Sequence, residues 1–252
     1  MAYNPFSLEG KTILITGASS GIGRGIAVEC SKMGAQIIIN GRNEERLHNT
    51  LSQLEGKKHS MINADISTQE GLEKVLTEVT ELDGFVNSAG VPSLIPLKQI
   101  TRDYIENILN VNTIAPITLT AGLIKRKKIK NKSSIVIISS INGSCIGNAG
   151  SSPYSASKGA LSGFIRTAAL ELAGKGTRIN TISPGLVQTN ILEQTERMFT
   201  KEQLEEKMLQ DYPMKRLGMV EDIAYGVIYL LSEASNWVTG QNIIIDGGST
   251  IA

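Results

Sequence analysis

The chain contains few of the residues that build disulfide scaffolds and metal centres. Only two of its 252 residues are cysteine and two are histidine. Cys30 and Cys145 are far apart and form no CxxC pair, so a disulfide framework is excluded, as expected for a reducing cytosol. His48 and His59 have no partners at metal-ligand spacing. We therefore predict no metal site and expect both histidines to be solvated surface residues.

Excess charge and long apolar runs are also missing. The formal net charge is +1, which gives no reason to expect nucleic acid or a membrane as a bulk partner. No run of about 18 apolar residues indicates a membrane span. The segment from Met1 to Phe6 lacks the apolar core of a signal peptide. We therefore expect a cytoplasmic protein with a single α/β domain over residues 1–252.

Short apolar runs alternate with helical patterns along the chain. Continuously apolar runs are typical of strands that are buried on both faces of a sheet. The predicted strands are 12–16, 36–40, 61–64, 85–87, 135–139, 179–183 and 242–246. The predicted helices are 24–33, 44–54, 69–81, 101–124, 154–174 and 220–232. This alternation predicts βαβ units with right-handed crossovers, and hence a three-layer, doubly wound α/β fold with a seven-stranded parallel sheet.

Residues 188–218 interrupt the alternation. They separate the strand that ends at Pro184 and Gly185 from the last predicted helix, and residues 193–210 are polar, charged and helix-prone. Long insertions after the carboxyl end of a strand are where α/β proteins place lids. We expect a mobile substrate lid, with a plain surface helical hairpin as the alternative.

The first predicted strand leads directly into a glycine-rich turn that begins at Thr16. Glycines let the backbone turn tightly and approach a pyrophosphate, and the following helix directs its N-terminal N–H groups at the phosphates. The spacing is GxxxGxG, and it lies between a predicted strand and a predicted helix, as a dinucleotide site requires. The predicted contacts are Gly17, Ser19, Ser20, Gly21, Ile22 and Gly23.

The ends of the next three strands predict which cofactor binds and where it lies. The second strand ends without the carboxylate that would bind the ribose of NAD, and Arg42 follows it. A guanidinium at this point can pair with a 2′-phosphate, which favours NADP(H) over NAD(H). The alternative is a solvated arginine at the start of a helix. Further predicted cofactor contacts are Asp65 and Ile66 at the adenine, and Asn87, Ala89 and Gly90 in the turn after the fourth strand.

Tyr154 and Lys158 are four residues apart in a predicted helix, so their side chains share one face. Reduction of a carbonyl requires a proton at its oxygen, and a phenol can supply one. An unperturbed tyrosine has a pKa of about 10, and lowering it by about 3 units takes roughly 4 kcal/mol. A cation about 4 Å from the phenol stabilises the phenolate by roughly the same free energy at an effective dielectric constant of about 20. We predict that Lys158 lowers the pKa of Tyr154.

Together these motifs resemble those of the short-chain dehydrogenases/reductases, and the resemblance covers nearly the whole chain. The family's glycine-rich turn matches residues 16–23, and its Tyr-x-x-x-Lys motif matches Tyr154 and Lys158. Its Asn-Asn-Ala-Gly turn matches residues 87–90, with Ser88 as a departure. The resemblance implies a single-domain Rossmann fold that transfers a hydride between a nicotinamide and a carbonyl or alcohol.

The resemblance also implies individual roles. Tyr154 would donate the proton, Lys158 would hold the ribose hydroxyls, and Asn112 would support a water relay. Ser140 would bind the carbonyl oxygen in preference to its neighbour Ser139, because Ser140-x-x-Gly143 fits the family pattern. The further cofactor contacts that it implies are Pro184, Gly185, Val187 and Thr189.

The segment between Ser140 and Tyr154 departs slightly from the family. The two residues are 14 positions apart, one more than is common, so loop 141–152 is expected to carry an extra residue. Cys145 lies in this loop. We expect it to be a buried structural residue, since nothing nearby in sequence would activate it; the alternative is that it lines the substrate pocket.

The substrate is less well determined by the residues. Within the family the chain is most similar to reductases of 3-oxoacyl groups carried on an acyl carrier protein in fatty acid biosynthesis. Six positive charges between Lys125 and Lys132 could dock an acidic carrier, or they could simply complement a helix C-terminus and keep a loop soluble.

Several alternatives are open. Related reductases act on sugars, polyols, steroids or small ketones; nucleotide-sugar epimerases share the Tyr-x-x-x-Lys motif; and a non-catalytic NADP-binding sensor would need only the nucleotide site. Apolar residues on more than one face of helices 101–124 and 154–174 predict subunit contacts. In this family those helices pair across a dyad, so the resemblance implies a homotetramer.

Overall fold

A computed structural model describes residues 3–189 and 210–252. The strands are β1 (Thr12–Thr16), β2 (Gln36–Gly41), β3 (Ser60–Asn63), β4 (Leu82–Asn87), β5 (Ile129–Ile138), β6 (Arg178–Pro184) and β7 (Asn242–Ile245). The helices are α1 (Gly21–Lys32), α2 (Glu44–Leu51), α3 (Gln69–Glu78), α4 (Arg102–Leu109), α5 (Ala115–Lys125), α6 (Ser152–Ala173) and α7 (Val220–Leu231).

All strand pairs among the described residues are parallel, and the sheet order is β3-β2-β1-β4-β5-β6-β7. The predicted seven-stranded, doubly wound fold is confirmed. The chain winds in opposite directions from β1 and from β4, and such a switch point opens a crevice at the carboxyl ends of the strands. The loops after β1, β4, β5 and β6, which carry the predicted site residues, therefore meet at this edge.

The sheet separates two apolar clusters, one on each face. One cluster joins alternate residues of β1 to α1 and α7, including Ile13, Ile26 and Val227. The other joins the opposite face to α3, α5 and α6, including Phe85 and Leu161. Successive side chains of a strand point to opposite faces, so a central strand that is covered on both sides must be apolar throughout. This explains why the strands appear as continuous apolar runs.

The predicted helix 101–124 is interrupted. A π-helical segment, Asn110–Ile114, separates α4 from α5. One helical stretch, Arg102–Lys125, is long and apolar enough to cross a membrane by length and composition alone. Its α5 part packs with Leu119 and Leu123 fully buried in the second cluster, so the apolar composition is that of a core helix.

The basic run from Lys125 to Lys132 lies at the amino edge of the sheet, opposite the crevice. It covers the end of α5 and the start of β5, and half of its cations are engaged within the chain. The Arg126 guanidinium forms an ion pair with Glu73. The Lys128 ammonium donates to the Val79 carbonyl at 2.7 Å, and Lys130 pairs with Asp83 at 2.9 Å.

His59 corrects the expectation of a solvated histidine. It is half-buried. Its Nδ1 accepts a hydrogen bond from the Ile37 N–H at 3.0 Å, and its Nε2 lies 2.9 Å from the Glu55 carbonyl oxygen. The imidazole therefore joins the start of β2 to the segment before β3. His48 is exposed, as expected.

Most of the predicted lid, residues 190–209, lies outside the described residues. The described ends of the insertion are joined to each other. Val187 forms a parallel bridge with Gly218, and the Leu186 N–H donates to the Tyr212 hydroxyl at 2.9 Å. The insertion therefore leaves and re-enters the domain at one point, beside the end of β6.

Candidate active site

The glycine-rich turn forms a backbone cradle at the N-terminus of α1. Gly17 has φ +66°, and a Cβ at this position would lie 2.6 Å from the Ala89 nitrogen, so only glycine fits. Ser20 precedes the helix with an extended backbone and no side-chain cap, and no acidic residue occupies the first turn. The N–H groups of the first turn therefore have no carboxylate or hydroxyl partner from the cap. Such a terminus suits the pyrophosphate of a dinucleotide, and the predicted contacts at Ser19, Gly21 and the rest of the turn fit that ligand.

Arg42 and Asp65 lie close together where β2 and β3 end. The Arg42 guanidinium is 3.6 Å from the Asp65 carboxylate, and their side chains are 66% and 35% exposed. Burial acts to raise the pKa of Asp65, but hydrogen bonds from Ser67 and the charge of Arg42 outweigh it, so the pKa is lowered. The guanidinium is thus accessible to a 2′-phosphate but shares its charge with a neighbouring carboxylate. Ile66 is buried in the core, and its predicted contact with adenine stays a prediction.

The turn after β4 lies against both the glycine-rich turn and α6, the predicted catalytic helix that carries Tyr154 and Lys158. The Asn87 amide is buried and accepts a hydrogen bond from the Thr16 hydroxyl at 2.8 Å, which joins the ends of β1 and β4. A Cβ at Gly90 would lie 3.2 Å from both the Asn112 Oδ1 and the Lys158 Nζ. Gly90 therefore connects the predicted nucleotide site with the predicted proton-transfer groups.

Tyr154 and Lys158 lie in the first two turns of α6. The Lys158 ammonium is 6.0 Å from the centroid of the Tyr154 ring and donates to the Ile138 carbonyl at 2.8 Å. The Lys158 side chain is almost completely buried, and among the described residues no carboxylate pairs with it. Burial lowers the pKa of this ammonium to about 8. An isolated, buried cation of this kind is rare outside functional sites.

The expected lowering of the Tyr154 pKa is not found in the polypeptide itself. Burial raises the pKa of the phenol, and a hydrogen bond with Ser140 offsets only part of the rise. The Lys158 ammonium is directed at a backbone carbonyl, so it does not compensate for the lost hydration of a phenolate. The phenol is therefore held as a proton donor near neutral pH.

Ser140, and not Ser139, faces the phenol. The Ser139 hydroxyl donates to the Lys158 carbonyl at 3.1 Å, within the core. Ser140 hydrogen-bonds Tyr154, and its Oγ accepts from the Asn142 N–H at 3.1 Å. Gly143, with φ +87°, lets the following turn pack directly on the backbone of α6 at Ser155. This contact explains why Ser140-x-x-Gly143 brings the serine beside the tyrosine.

Asn112 lies in the π-helical segment and is fully buried. Its Oδ1 accepts from the Val91 N–H at 2.8 Å, and its Nδ2 donates to the Val91 carbonyl and the Ser157 hydroxyl, each at 3.0 Å. The Ser157 hydroxyl in turn donates to the Tyr154 carbonyl at 2.7 Å. The amide therefore couples the turn after β4 to the catalytic helix, and a role in a water relay stays a prediction.

The loop after β6 completes the site. Val187 is buried, and Thr189 lies next to the glycine-rich turn, with its Cγ2 3.5 Å from the position of a Cβ at Gly21. The Gly185 N–H donates to the Ile245 carbonyl at 2.9 Å, which holds the segment after Pro184 on β7. The contacts of Pro184, Gly185, Val187 and Thr189 with the cofactor stay predictions.

Two residues of loop 141–152 differ from the expectations. Cys145 is exposed, not buried. Ser144, which had no role in the sequence interpretation, is hydrogen-bonded to Ser140. Ser157 was missed in the same way. No local pattern marks either serine, because Ser183 beside Ser144 and Asn112 beside Ser157 are distant in sequence.

Comparisons with known proteins agree with this geometry. A family model described as enoyl-(acyl carrier protein) reductase matches residues 17–250. The 3-oxoacyl-(acyl-carrier-protein) reductase of Rickettsia prowazekii (strain Madrid E) is 33% identical over 242 residues, which cover 96% of this chain and 97% of that protein. Gluconate 5-dehydrogenase of Gluconobacter oxydans (strain 621H) is 31% identical, with 98% and 97% covered.

The fold has solved counterparts. A crystallised 7α-hydroxysteroid dehydrogenase in complex with NADH and 7-oxo glycochenodeoxycholic acid superposes with a TM-score of 0.88 at 28% identity, with 98% of this chain and 97% of that chain covered. A nicotinamide-binding oxidoreductase that acts on the CH–OH/C=O pair is therefore the class that fold and site define. The chain belongs to the short-chain dehydrogenase/reductase family.

Proposed function

We propose that the protein is a cytoplasmic, NADPH-dependent carbonyl reductase in which Tyr154 delivers the proton to the substrate oxygen. The observation that carries the proposal is the convergence of Ser140, Tyr154 and Lys158 beside Gly90, at the switch point of the sheet. A bound nicotinamide supplies the hydride. Ser140 binds the carbonyl oxygen and stabilises its developing negative charge. The raised pKa of Tyr154 keeps the phenol protonated for transfer, and Lys158 offers a second proton behind it.

The preference for NADPH rests on Arg42 and on the absence of a carboxylate at the end of β2. A guanidinium can form two parallel hydrogen bonds with a phosphate. The ion pair with Asp65 is exposed and weak, so a dianionic phosphate would displace the carboxylate from the guanidinium.

For the substrate we propose a 3-oxoacyl thioester first. The relative from Rickettsia prowazekii carries that activity in its name, and the described loops near the site are lined by apolar residues. These are Val91, Leu94, Ile95, Ile146, Leu186 and Val187. Ile191 and Leu192, which share this apolar character, lie outside the described residues. A sugar or polyol is the second candidate, because a gluconate dehydrogenase is almost equally similar to this chain.

The test is oxidation of NADPH and NADH by the purified protein against an acetoacetyl thioester, a ketosugar and a cyclic ketone. We expect rapid NADPH-linked turnover of the thioester. Turnover of the ketosugar alone would assign the second candidate. Cofactor binding without turnover of any carbonyl would contradict the reductase proposal and favour a sensor.

Docking of a carrier protein at Lys125 to Lys132 is a separate part of the proposal, and geometry restricts it. The regular pairing of β5 with β4 begins at Ser134, just beyond the basic run. Ser140 lies six residues further on, so the basic run is about 20 Å or more from the site at roughly 3.3 Å per residue. A carrier docked there must extend its arm around the edge of the domain. Replacing Lys125 and Lys132 by glutamate should slow turnover of a carrier-bound substrate and leave the free thioester unaffected. Equal rates on both would exclude this dock.

We also propose a homotetramer. Ile114 beside α5 and Leu170 on α6 are 50% and 80% exposed, which leaves apolar surface on the two helices that the family pairs across a dyad. Light scattering coupled to size-exclusion chromatography should give four times the monomer mass; a monomer would refute the assembly.

A further inference from the structure

A row of polar side chains connects the edge strand β7 to the main chain of Ser140. The Asn242 Oδ1 accepts from the Thr181 hydroxyl at 2.9 Å and from the Ser183 hydroxyl at 2.7 Å. Ser183 lies 3.1 Å from the Ser144 hydroxyl, and Ser144 donates to the Ser140 carbonyl at 2.5 Å. The row therefore runs from the first residue of β7, through the second half of β6, to the loop that follows β5.

The number of hydroxyl protons in the row limits which groups can donate and which can accept. The Ser140 carbonyl is the nearest acceptor of the Ser144 hydroxyl at 2.5 Å, whereas the Ile141 carbonyl and the Cys145 Sγ both lie at 3.4 Å. With its proton directed to Ser140, Ser144 can accept from Ser183. Ser183 has a single proton for two acceptors, Ser144 and the Asn242 Oδ1. Thr181 supplies the amide oxygen when Ser183 turns to Ser144. When Ser183 donates to Asn242 instead, no proton lies between Ser183 and Ser144, so the two serines are linked only in the first orientation.

These polar groups occupy places where apolar residues would pack. Thr181 and Ser183 are fully buried. They lie on the face of β6 that also presents Ile179 to the apolar cluster around α6. A buried hydroxyl without a partner costs about 1–3 kcal/mol, so the two hydroxyls are tolerated only because the row satisfies them. Apolar packing alone would not require hydroxyl groups at these two positions.

Two groups of Ser140, its backbone carbonyl and its side-chain hydroxyl, each accept a hydrogen bond. Ser144 holds its carbonyl, and the Asn142 N–H holds its Oγ at 3.1 Å. With both groups held, the hydroxyl keeps one direction, towards Tyr154. We propose that Ser144, supported by Ser183 and Asn242, is a positioning residue for Ser140. This inference rests on the proposed role of Ser140 in carbonyl reduction.

The test compares Ser144→Ala with Ser144→Thr, which keeps the hydroxyl, and with Ser162→Ala as the matched control. The Ser162 hydroxyl is buried and has no hydrogen-bond partner among the described residues. We expect Ser144→Ala to lower kcat for the best carbonyl about tenfold, the equivalent of one lost hydrogen bond. KM for NADPH should stay unchanged, Ser144→Thr should recover most of the rate, and Ser162→Ala should behave as the wild type.

A second variant tests whether the row acts as a unit. Ser183→Ala should lower kcat less than Ser144→Ala, and the double variant should be no slower than Ser144→Ala, because both changes act through one contact with Ser140. Independent, multiplying losses would show that Ser183 does not act through Ser144 and would overturn that part of the inference.

Amide hydrogen exchange gives a readout that does not need turnover. The Asn142 amide is protected by the Ser140 Oγ, so its exchange should accelerate about tenfold in Ser144→Ala and stay unchanged in Ser162→Ala. A wild-type protein that turns over no carbonyl would refute the proposed function, while exchange would still decide whether Ser144 positions Ser140. Unchanged exchange together with unchanged kcat in Ser144→Ala would overturn the positioning role.

Discussion

The two halves of the crevice differ in how deeply their charges lie. On the side of β1–β3, the charges that would select the cofactor are exposed: the Arg42 and Asp65 side chains are 66% and 35% accessible to solvent. On the side of β4–β6, Lys158 is 5% exposed and Asn112 is completely buried. Exposed charges are screened by water and salt, whereas buried ones shift their pKa values and hold fixed directions. Cofactor choice should therefore be easy to change by mutation, and proton transfer should not.

Tyr154→Phe should have the largest effect, because it removes the group that we propose as proton donor. General acid catalysis is worth about 10²–10⁴-fold, so kcat should fall about 10³-fold. NADPH affinity, measured by fluorescence titration, should stay unchanged. Tyr229→Phe is the matched control, since Tyr229 lies on α7 and packs against Phe6. Residual activity above a tenth of the wild type in Tyr154→Phe would refute the assignment.

An increase in pH should have the next-largest effect, because it removes the charge of Lys158 on the buried side of the crevice. Lys158 has a pKa of about 8 in the folded protein, compared with 10.5 in a free chain. Its positive charge is therefore lost above pH 8, and kcat/KM for reduction should fall about tenfold per pH unit, or about 100-fold by pH 10. A profile that is flat between pH 7 and 10 would contradict the proposed role of the ammonium.

The same group should affect stability in the opposite direction. Between pH 8 and 10.5 the unfolded chain binds the Lys158 proton and the folded chain does not. The contribution of this group to the free energy of unfolding therefore rises with pH across that window. The difference in urea unfolding between the wild type and Lys158→Met isolates this contribution, and it should move in favour of the wild type as the pH rises.

Arg42→Ala tests the exposed side of the crevice, along β1–β3. It should weaken NADPH binding about tenfold, since hydrogen bonds to charged groups contribute about 1.5–3 kcal/mol and exposure reduces that value. NADH binding should be unaffected. Arg46→Ala removes an exposed guanidinium from the adjacent helix α2 and should change neither affinity. An equal loss for both cofactors in Arg42→Ala would show that Arg42 does not recognise the 2′-phosphate.

Asp65→Asn should give the smallest and opposite change. Asparagine keeps an oxygen that can accept from Ser67 but removes the negative charge 3.6 Å from Arg42. NADPH should bind about threefold more tightly at low salt, because an exposed ion pair is worth less than about 1 kcal/mol. The gain should disappear at high salt. Weaker NADPH binding would show instead that the predicted contact of the Asp65 carboxylate with the adenine outweighs its competition for Arg42.

The same difference in burial explains which features could be predicted from the sequence. The strands and most helices were predictable because continuously apolar runs and helical periods record burial directly. The π-helical segment was not, and the hydrogen bonds made within it join Asn112 to Val91 and Ser157, which are distant in sequence. The pKa of Tyr154 was predicted in the wrong direction for a related reason, since a spacing of four residues does not show that Lys158 donates to the Ile138 carbonyl.

The shape of the candidate site was predictable where a motif implies a backbone conformation, as in the turn from Gly17 to Gly23. Site residues were not predictable where a side chain acts through another. Ser144 lies in a loop with no repeating pattern, and Ser183, which supports it, comes from a strand that is distant in sequence. Residues 125–132 show the converse, because a run of positive charge in sequence proved to lie at the amino edge, with Arg126 and Lys130 already paired.

The turn after α5 contains a residue whose substitution should raise the melting temperature of the protein. The Lys127 N–H donates to the Ile124 carbonyl and the Lys128 N–H to the Leu123 carbonyl, an arrangement that requires a left-handed residue at position 127. Lys127 adopts φ +57°, where glycine is normally found. Lys127→Gly should relieve about 1 kcal/mol of backbone strain at a position opposite the crevice. A melting temperature raised by a few degrees, with kcat unchanged, would make this position a starting point for engineering a more durable catalyst.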